Sequence, residues 1–258
     1  SAGFFILKMM KKISIIGILI TVIWGCNSAP QKEEKVQTES QTESKSLVEK
    51  QELSPQADSV FDEINQRIRK DINNPDLYLE RSRLYELVGD EKAAVEDINR
   101  ALKIDSTYLN TMIAQADFLI KRGELRTSLA ILENAKSIHP EQSIIYTKIA
   151  ELYLVARNFQ ESLKNADLAV KYDQFNAKAY YLKGFNFAEL GDTAKAISSF
   201  QTAVEQNPED FESYMQLGLI HAAKDDPLAL DYLKNALEVR PESQEAKYAI
   251  GMYQQEHE

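Results

Sequence analysis

The 258-residue sequence predicts an all-α chain whose folded part is a superhelix of stacked helix hairpins. Three observations predict it. Gly89-Asp90, Gly123-Glu124 and Gly191-Asp192 place a glycine followed by an acid at multiples of 34 residues. In the same frame two columns hold only small residues: Ala94, Ser128, Ser162, Ala196 and Ala229, then Ala101, Ala135, Ala169, Ala203 and Ala236, the last unit being one residue short near Lys224 to Pro227. Finally, Pro140, Pro208 and Pro241 close units, and Pro75 precedes the first. A fixed period of this length marks a repeat array. Small residues in step mean that two helix backbones come too close for a larger side chain.

Taken from the N-terminus, Ser1 to Lys8 precede the first Met and are expected to be an upstream extension. Lys8-Met9-Met10-Lys11-Lys12 is basic, and Ile13 to Trp24 is an apolar run of twelve residues. As a helix that run rises only about 18 Å, short of the roughly 30 Å hydrocarbon core, so a signal-peptide core fits it better than a permanent span. Ile23-Trp24-Gly25-Cys26 resembles a bacterial lipobox, with Trp24 in place of the usual small residue. The resemblance implies cleavage before Cys26 and lipid on Cys26. An ordinary anchor helix, or a cleaved signal with an incidental Cys, is the other reading of the same residues. This lone cysteine excludes an internal disulfide framework and a cysteine-rich metal site.

Residues 27–58 carry a duplicated QTES, no aromatic residue and few aliphatic ones, a composition that cannot offset chain entropy. They are expected to form a polar tether with an end-to-end distance of roughly 30 Å. Gln31-Lys32-Glu33-Glu34 resembles the short acidic export tag of Bacteroidota surface lipoproteins, and also reads as a plain solvated charge run. The net charge is −10, and it becomes −13 once the first 26 residues, with Lys8, Lys11 and Lys12, are removed. So acidic a body lacks the basic footprint that nucleic acid requires.

The folded part is expected over residues 59–258. Val60, Phe61, Ile64 and Ile68 give Ser59 to Ile72 the phase of a helix covering the first repeat. Leu77, Tyr78, Leu84, Tyr85 and Val88 fall at helical spacing, and Ala94, Val95, Ile98, Ala101 and Leu102 repeat the pattern. Gly89 between them suits the left-handed end of the first helix, and the acid after it suits the start of the second. Five such hairpins are expected, at about 75–108, 109–142, 143–176, 177–210 and 211–243, with a terminal cap helix over 244–256.

These residues resemble the tetratricopeptide repeat family. An aromatic-type column reads Tyr78, Met112, Tyr146, Tyr180, Tyr214; a small column Ser82, Ala116, Ala150, Gly184, Gly218; and a third Tyr85, Leu119, Tyr153, Phe187, His221. The chain departs from the family pattern at Arg81, Gln115 and Lys183, where Leu is usual, at Arg157-Asn158 in place of Gly-Asp, and at Ala166, where a larger apolar residue is expected. Looser packing of the middle repeat is the expectation there. The resemblance implies a concave inner face lined by the first helix of each pair, about 40 to 50 Å long. Its rows would be Leu79, Ile113, Thr147, Tyr181, Met215; then Arg83, Asp117, Glu151, Phe185, Leu219; then Glu86, Ile120, Leu154, Ala188, Ala222. Partner-binding candidates are Leu79, Arg83, Ile113, Asp117, Glu151, Tyr181, Phe185, Met215 and Leu219, with Tyr181, Phe185, Met215 and Leu219 foremost because aromatic and Met side chains suit interface centres. Packing of those four as core beneath the terminal helix is the competing reading. Leu79, Arg83 and Ala114 stand where relatives that grip chaperone tails carry a Lys and Asn carboxylate clamp, so that specificity is not expected.

No catalytic residue set, metal site or cofactor motif is expected. His139, His221 and His257 fall in a turn, a helix-packing column and the tail, with no common point. Glu209-Asp210 and Asp225-Asp226 fall in turns as helix caps, and no phosphate-cradling glycine motif is present. The expected function is a lipid-anchored, non-enzymatic scaffold that binds a protein or peptide partner at the bacterial envelope, as part of a multi-protein complex at the outer membrane. The alternative is an accessory lipoprotein of an outer-membrane protein assembly or secretion machine.

Overall fold

A computed structural model describes residues 55–257 as twelve α-helices, with no strand among the described residues. The expected leader, Cys26 and the tether up to residue 54 lie outside the described residues. The helices are α1 (Pro55–Lys70), α2 (Pro75–Leu87), α3 (Glu91–Ile104), α4 (Leu109–Lys121), α5 (Leu125–Ile138), α6 (Ser143–Val155), α7 (Phe159–Tyr172), α8 (Ala177–Glu189), α9 (Thr193–Gln206), α10 (Phe211–Ala222), α11 (Leu228–Val239) and α12 (Gln244–His257). Helix α1 begins four residues before the expected Ser59. Pro55 sits at its first position, where the missing N–H costs nothing.

Turn chemistry sets the register. Gly89, Gly123 and Gly191 have φ of +79°, +75° and +84°, the left-handed conformation expected of them. Asp90, Asn158 and Asp192 then cap the second helices by accepting from the backbone N–H of Ala93, Glu161 and Lys195. Arg157 and Asp225 take the same left-handed role without being glycine, at φ of +57° and +55°. Arg157→Gly is therefore expected to stabilise the chain by about 0.5–1 kcal/mol, less whatever its exposed contacts to Glu189 and the Phe159 ring contribute. A urea midpoint unchanged or lowered by the substitution would refute this account of the turn.

Both small-residue columns are sealed completely. All of Ala94, Ser128, Ser162, Ala196 and Ala229, and all of Ala101, Ala135, Ala169, Ala203 and Ala236, are 0% exposed. Facing residues within each pair are matched in size. Gly184 faces Phe200 and Gly218 faces Leu233, and a Cβ at either glycine would come within 2.6 Å of its neighbour's side chain. At the expected weak point, Ala150, Ala166 and Leu182 form a buried cluster that Leu154 and Tyr181 pack against. Around Ala166 the buried bulk is supplied by Leu182 of the next repeat, with Leu154 and Tyr181 at the edge.

Each helix packs on its neighbours in sequence, as a linear array requires. In addition α2 packs on α4, α6 on α8 and α10 on α12, whereas no two second-type helices pack to a comparable extent. The first-type helices therefore line the shorter, inner side of the superhelix. At its start, α1 buries Ile64 and Ile68 against α2 and packs the Phe61 ring, tilted by 39°, against Tyr85. Arg81 fills the position where Leu is usual by donating to both Asp97 oxygens, at 2.7 and 2.6 Å, and to Asn65 at 2.6 Å, tying α1, α2 and α3 together.

Candidate functional site

The inner face is built from residues one helical turn apart on α2, α4, α6, α8 and α10, which the 34-residue step brings into rows. The structure divides those rows by depth. Leu79 is 2% exposed and Met215 7%, and both belong to core clusters, so these two candidates are corrected from contact residues to packing residues. Thr147 in the same row is also buried, its hydroxyl bonded to Ser143 O and to Asn176 Nδ2. The cause is position: this row sits where adjacent first-type helices touch, beneath the surface. Ile113 is half-buried against the cluster around Met112 and Leu132.

The second row stays at the surface. Arg83 is exposed, and Asp117, Glu151, Phe185 and Leu219 are half-buried. The two acids are already engaged: Lys148 Nζ lies 2.9 Å from Asp117 Oδ1 and 3.4 Å from Glu151 Oε2. Burial opposes the Lys148 charge, but Glu151 and Asp117 outweigh it and hold its pKa above the ordinary lysine value. Lys178 Nζ lies 3.7 Å from Glu151 and 4.4 Å above the centre of the Tyr181 ring. Tyr181 packs with Phe185 and Phe200, and its hydroxyl pKa is pushed up by burial and then by the carboxylates of Glu212, Asp210 and Glu151. The ring is a half-buried floor under a negative field.

Toward the C-terminus, Arg240 stacks over Phe211 at 4.1 Å and bonds Glu212 at 2.9 Å. Phe211 and Arg240 also open a cleft of about 500 Å³ lined by Pro241, Glu242, Ser243, Gln244 and Glu245. Helix α12 packs on α10 and α11, where a sixth first-type helix would stand. The core clusters that receive Tyr181 and Phe185 contain no residue of α12, so the terminal helix does not cover them. Instead it extends the rows: Tyr248 and Met252 follow Met215 and Leu219 by 33 residues, and Tyr248 is 65% exposed. The repeat step alone, carried once more, would have found both.

Of the histidines, His139 Nε2 lies 2.7 Å from Thr107 O. His221 Nδ1 is 2.7 Å from Asp226, and His257 Nε2 is 3.7 Å from Asp225, so two histidines reach adjacent acids in one turn, an approach the repeat spacing did not predict. Among the described residues no cluster of His, Cys, Asp and Glu could hold a metal ion. Asp210 caps α10 by accepting from the Ser213 N–H, whereas the cap position of α11 is Pro227, and Asp226 just before it accepts from the Leu228 N–H.

Residues 75–108 and 177–210 each match the Tetratricopeptide repeat family. A TPR repeat-containing protein of Methanocaldococcus jannaschii is 28% identical over 147 residues, 53% of this chain and 26% of that protein. The chain thus spans about a quarter of that relative's length. Among solved structures, the yeast Tom70 structure superposes with a TM-score of 0.66 at 16% identity, over 76% of this chain and 42% of that one. The structure of a thermophilic TPR protein from Thermus thermophilus superposes with a TM-score of 0.60 at 18% identity, over 70% of this chain and all of that one. The superpositions show an α-α superhelix, and the two matched 34-residue segments are similar to tetratricopeptide repeats.

Proposed function

We propose, from the premise of a tetratricopeptide-repeat chain, that it is a lipid-anchored, non-enzymatic scaffold of the bacterial envelope that holds a segment of a partner protein along its inner face. The observation that carries the reading is the surface row Arg83, Asp117, Glu151, Phe185 and Leu219, continued by Met252, along helices that offer a long surface. Apolar members at Phe185 and Leu219 supply burial, and charged members at Arg83, Asp117 and Glu151 supply orientation. The lipobox resemblance ending at Cys26 supports the anchoring half of the reading. The proposal includes export to the outer membrane and membership of a multi-protein complex.

A photo-crosslinking residue at Phe185 of the full chain, activated in cells, is expected to trap one stoichiometric partner. Cys26→Ser is expected to abolish incorporation of an alkyne-labelled fatty acid and to release the chain from the membrane fraction. A spread of unfolded outer-membrane proteins in the crosslink would favour the assembly accessory instead. Unchanged fractionation of the Cys26 variant would remove the lipid anchor from the proposal.

A further inference from the structure

Two cations of this chain sit on aromatic rings beside carboxylates: Lys178 at the inner face, and Arg240 over Phe211, a ring of the core cluster around Met215 that is 2% exposed with Arg240 in place. Lys178 lies on Tyr181 next to Glu151, and Arg240 lies on Phe211 next to Glu212. Their side chains are 51% and 56% exposed, so each can swing into water without leaving a buried charge behind. Lys148 differs: it is 21% exposed and clamped between Asp117 and Glu151, and is not displaceable in this way.

Removing Lys178 and Arg240 from the rings would leave Glu151 and Glu212 without these partners, with Asp210 and Glu212 acting on Tyr181, Glu245 and the Lys247-paired Glu242 on the adjoining cleft, and the exposed Tyr248 on the same terminal helix as Glu245. A ring face with carboxylates at its edge is a seat for a cation. These groups come from α6, α8, α10 and α12 and the turns that precede them, so they are spread over successive repeats rather than confined to one. The acidic net charge of the chain acts in the same direction at longer range.

We infer that the partner segment held along α6, α8, α10 and α12 is a cationic peptide, whose Lys or Arg side chains replace Lys178 on Tyr181 and Arg240 on Phe211 while its apolar residues meet Phe185, Leu219 and Tyr248. The inference rests on the inner-face reading above and adds the chemistry of the occupant. Exchange of one cation for another keeps each ring and carboxylate satisfied, whereas an anionic segment would be repelled by Glu151, Asp210, Glu212, Glu242 and Glu245.

The test uses the full chain and three fluorescein-labelled 15-residue peptides of identical Leu, Met and Phe spacing, with Lys, Gln or Glu at every polar position. Anisotropy titrations at low salt are expected to show the Lys peptide binding about tenfold tighter than the Gln peptide, with the gap closing as salt rises, and no binding of the Glu peptide. Glu212→Gln with Glu245→Gln should weaken the Lys peptide severalfold and leave the Gln peptide unchanged. Asp231→Asn, on the exposed side of α11, should change neither. Equal affinity of the Lys and Gln peptides, both weakened by Phe185→Ala, overturns the cationic occupant and leaves the inner-face reading standing. Binding insensitive to Phe185→Ala, or no binding by any peptide, overturns both.

Discussion

Gly184→Ala is expected to destabilise the chain by up to about 2 kcal/mol, although alanine is the better helix former by about 1 kcal/mol. The added Cβ would lie 2.6 to 2.9 Å from three atoms of the Phe200 ring, and Phe200 is itself fully buried with no room to withdraw. Overpacking of this kind costs about 1–3 kcal/mol and outweighs the propensity gain. The sign should reverse with the neighbour. In a Phe200→Leu background the pair becomes equivalent to Ala116 opposite Leu132, which this chain already contains, and Gly184→Ala should then be neutral or stabilising. Gly251 has nothing within 4 Å of its would-be Cβ, so Gly251→Ala should stabilise by up to about 1 kcal/mol. Urea midpoints of the four-member cycle decide the matter: an equal cost of Gly184→Ala with Phe200 intact and with Phe200→Leu would show that size matching does not govern these columns.

Arg81→Ala is expected to cost about 3–5 kcal/mol, the largest single effect available among the charged residues. It would leave the Asp97 carboxylate, 6% exposed, without either of its guanidinium bonds, and would also sever the link to Asn65 on α1. The pair as a whole should be dispensable. Ile149 and Leu217 occupy the column of Arg81 in other repeats with no exposed surface, and Ile131 stands in the column of Asp97. Arg81→Leu combined with Asp97→Leu is therefore expected to be neutral or stabilising, because two buried charges need not be desolvated. A double variant as unstable as Arg81→Ala would mean that the polar link to α1, and not the stranded charge, dominates.

The architecture was legible because its determinants are local and periodic. Small residues such as Ala101 and Ala135 recur in step because each helix pair meets the same steric demand, and Gly89, Gly123 and Gly191 mark turns that need a left-handed residue. The inner face was legible only in part, since depth depends on how neighbouring pairs meet. Leu79 and Met215 share a row with Tyr181, yet the closeness of α2 to α4 and of α10 to α12 decides that the first two are core. Around Ala166 a small residue in one repeat is accompanied by Leu182 and Tyr181 from the next, a pairing the column pattern of a single repeat does not contain. Ion pairs such as Lys148 with Asp117 join residues 31 apart, and spacing alone does not say which of several nearby cations takes which acid. The meeting of His257 with Asp225 arises in the last turn of α12, beyond the point at which the preceding first-type helix ends at Ala222, so no earlier unit is a template for it.

Direct packing between inner helices occurs at α2 with α4, α6 with α8 and α10 with α12, whereas the α4 to α6 and α8 to α10 steps are bridged chiefly by α5 and α9. The inner helices therefore pack directly on one another within three pairs, and to a lesser extent at the two steps after the second and fourth repeats. Tyr181 on α8 and Glu212 on α10 stand on opposite sides of the second of these steps. Any guest that engages both spans that step, adding contacts where the inner helices themselves supply fewest.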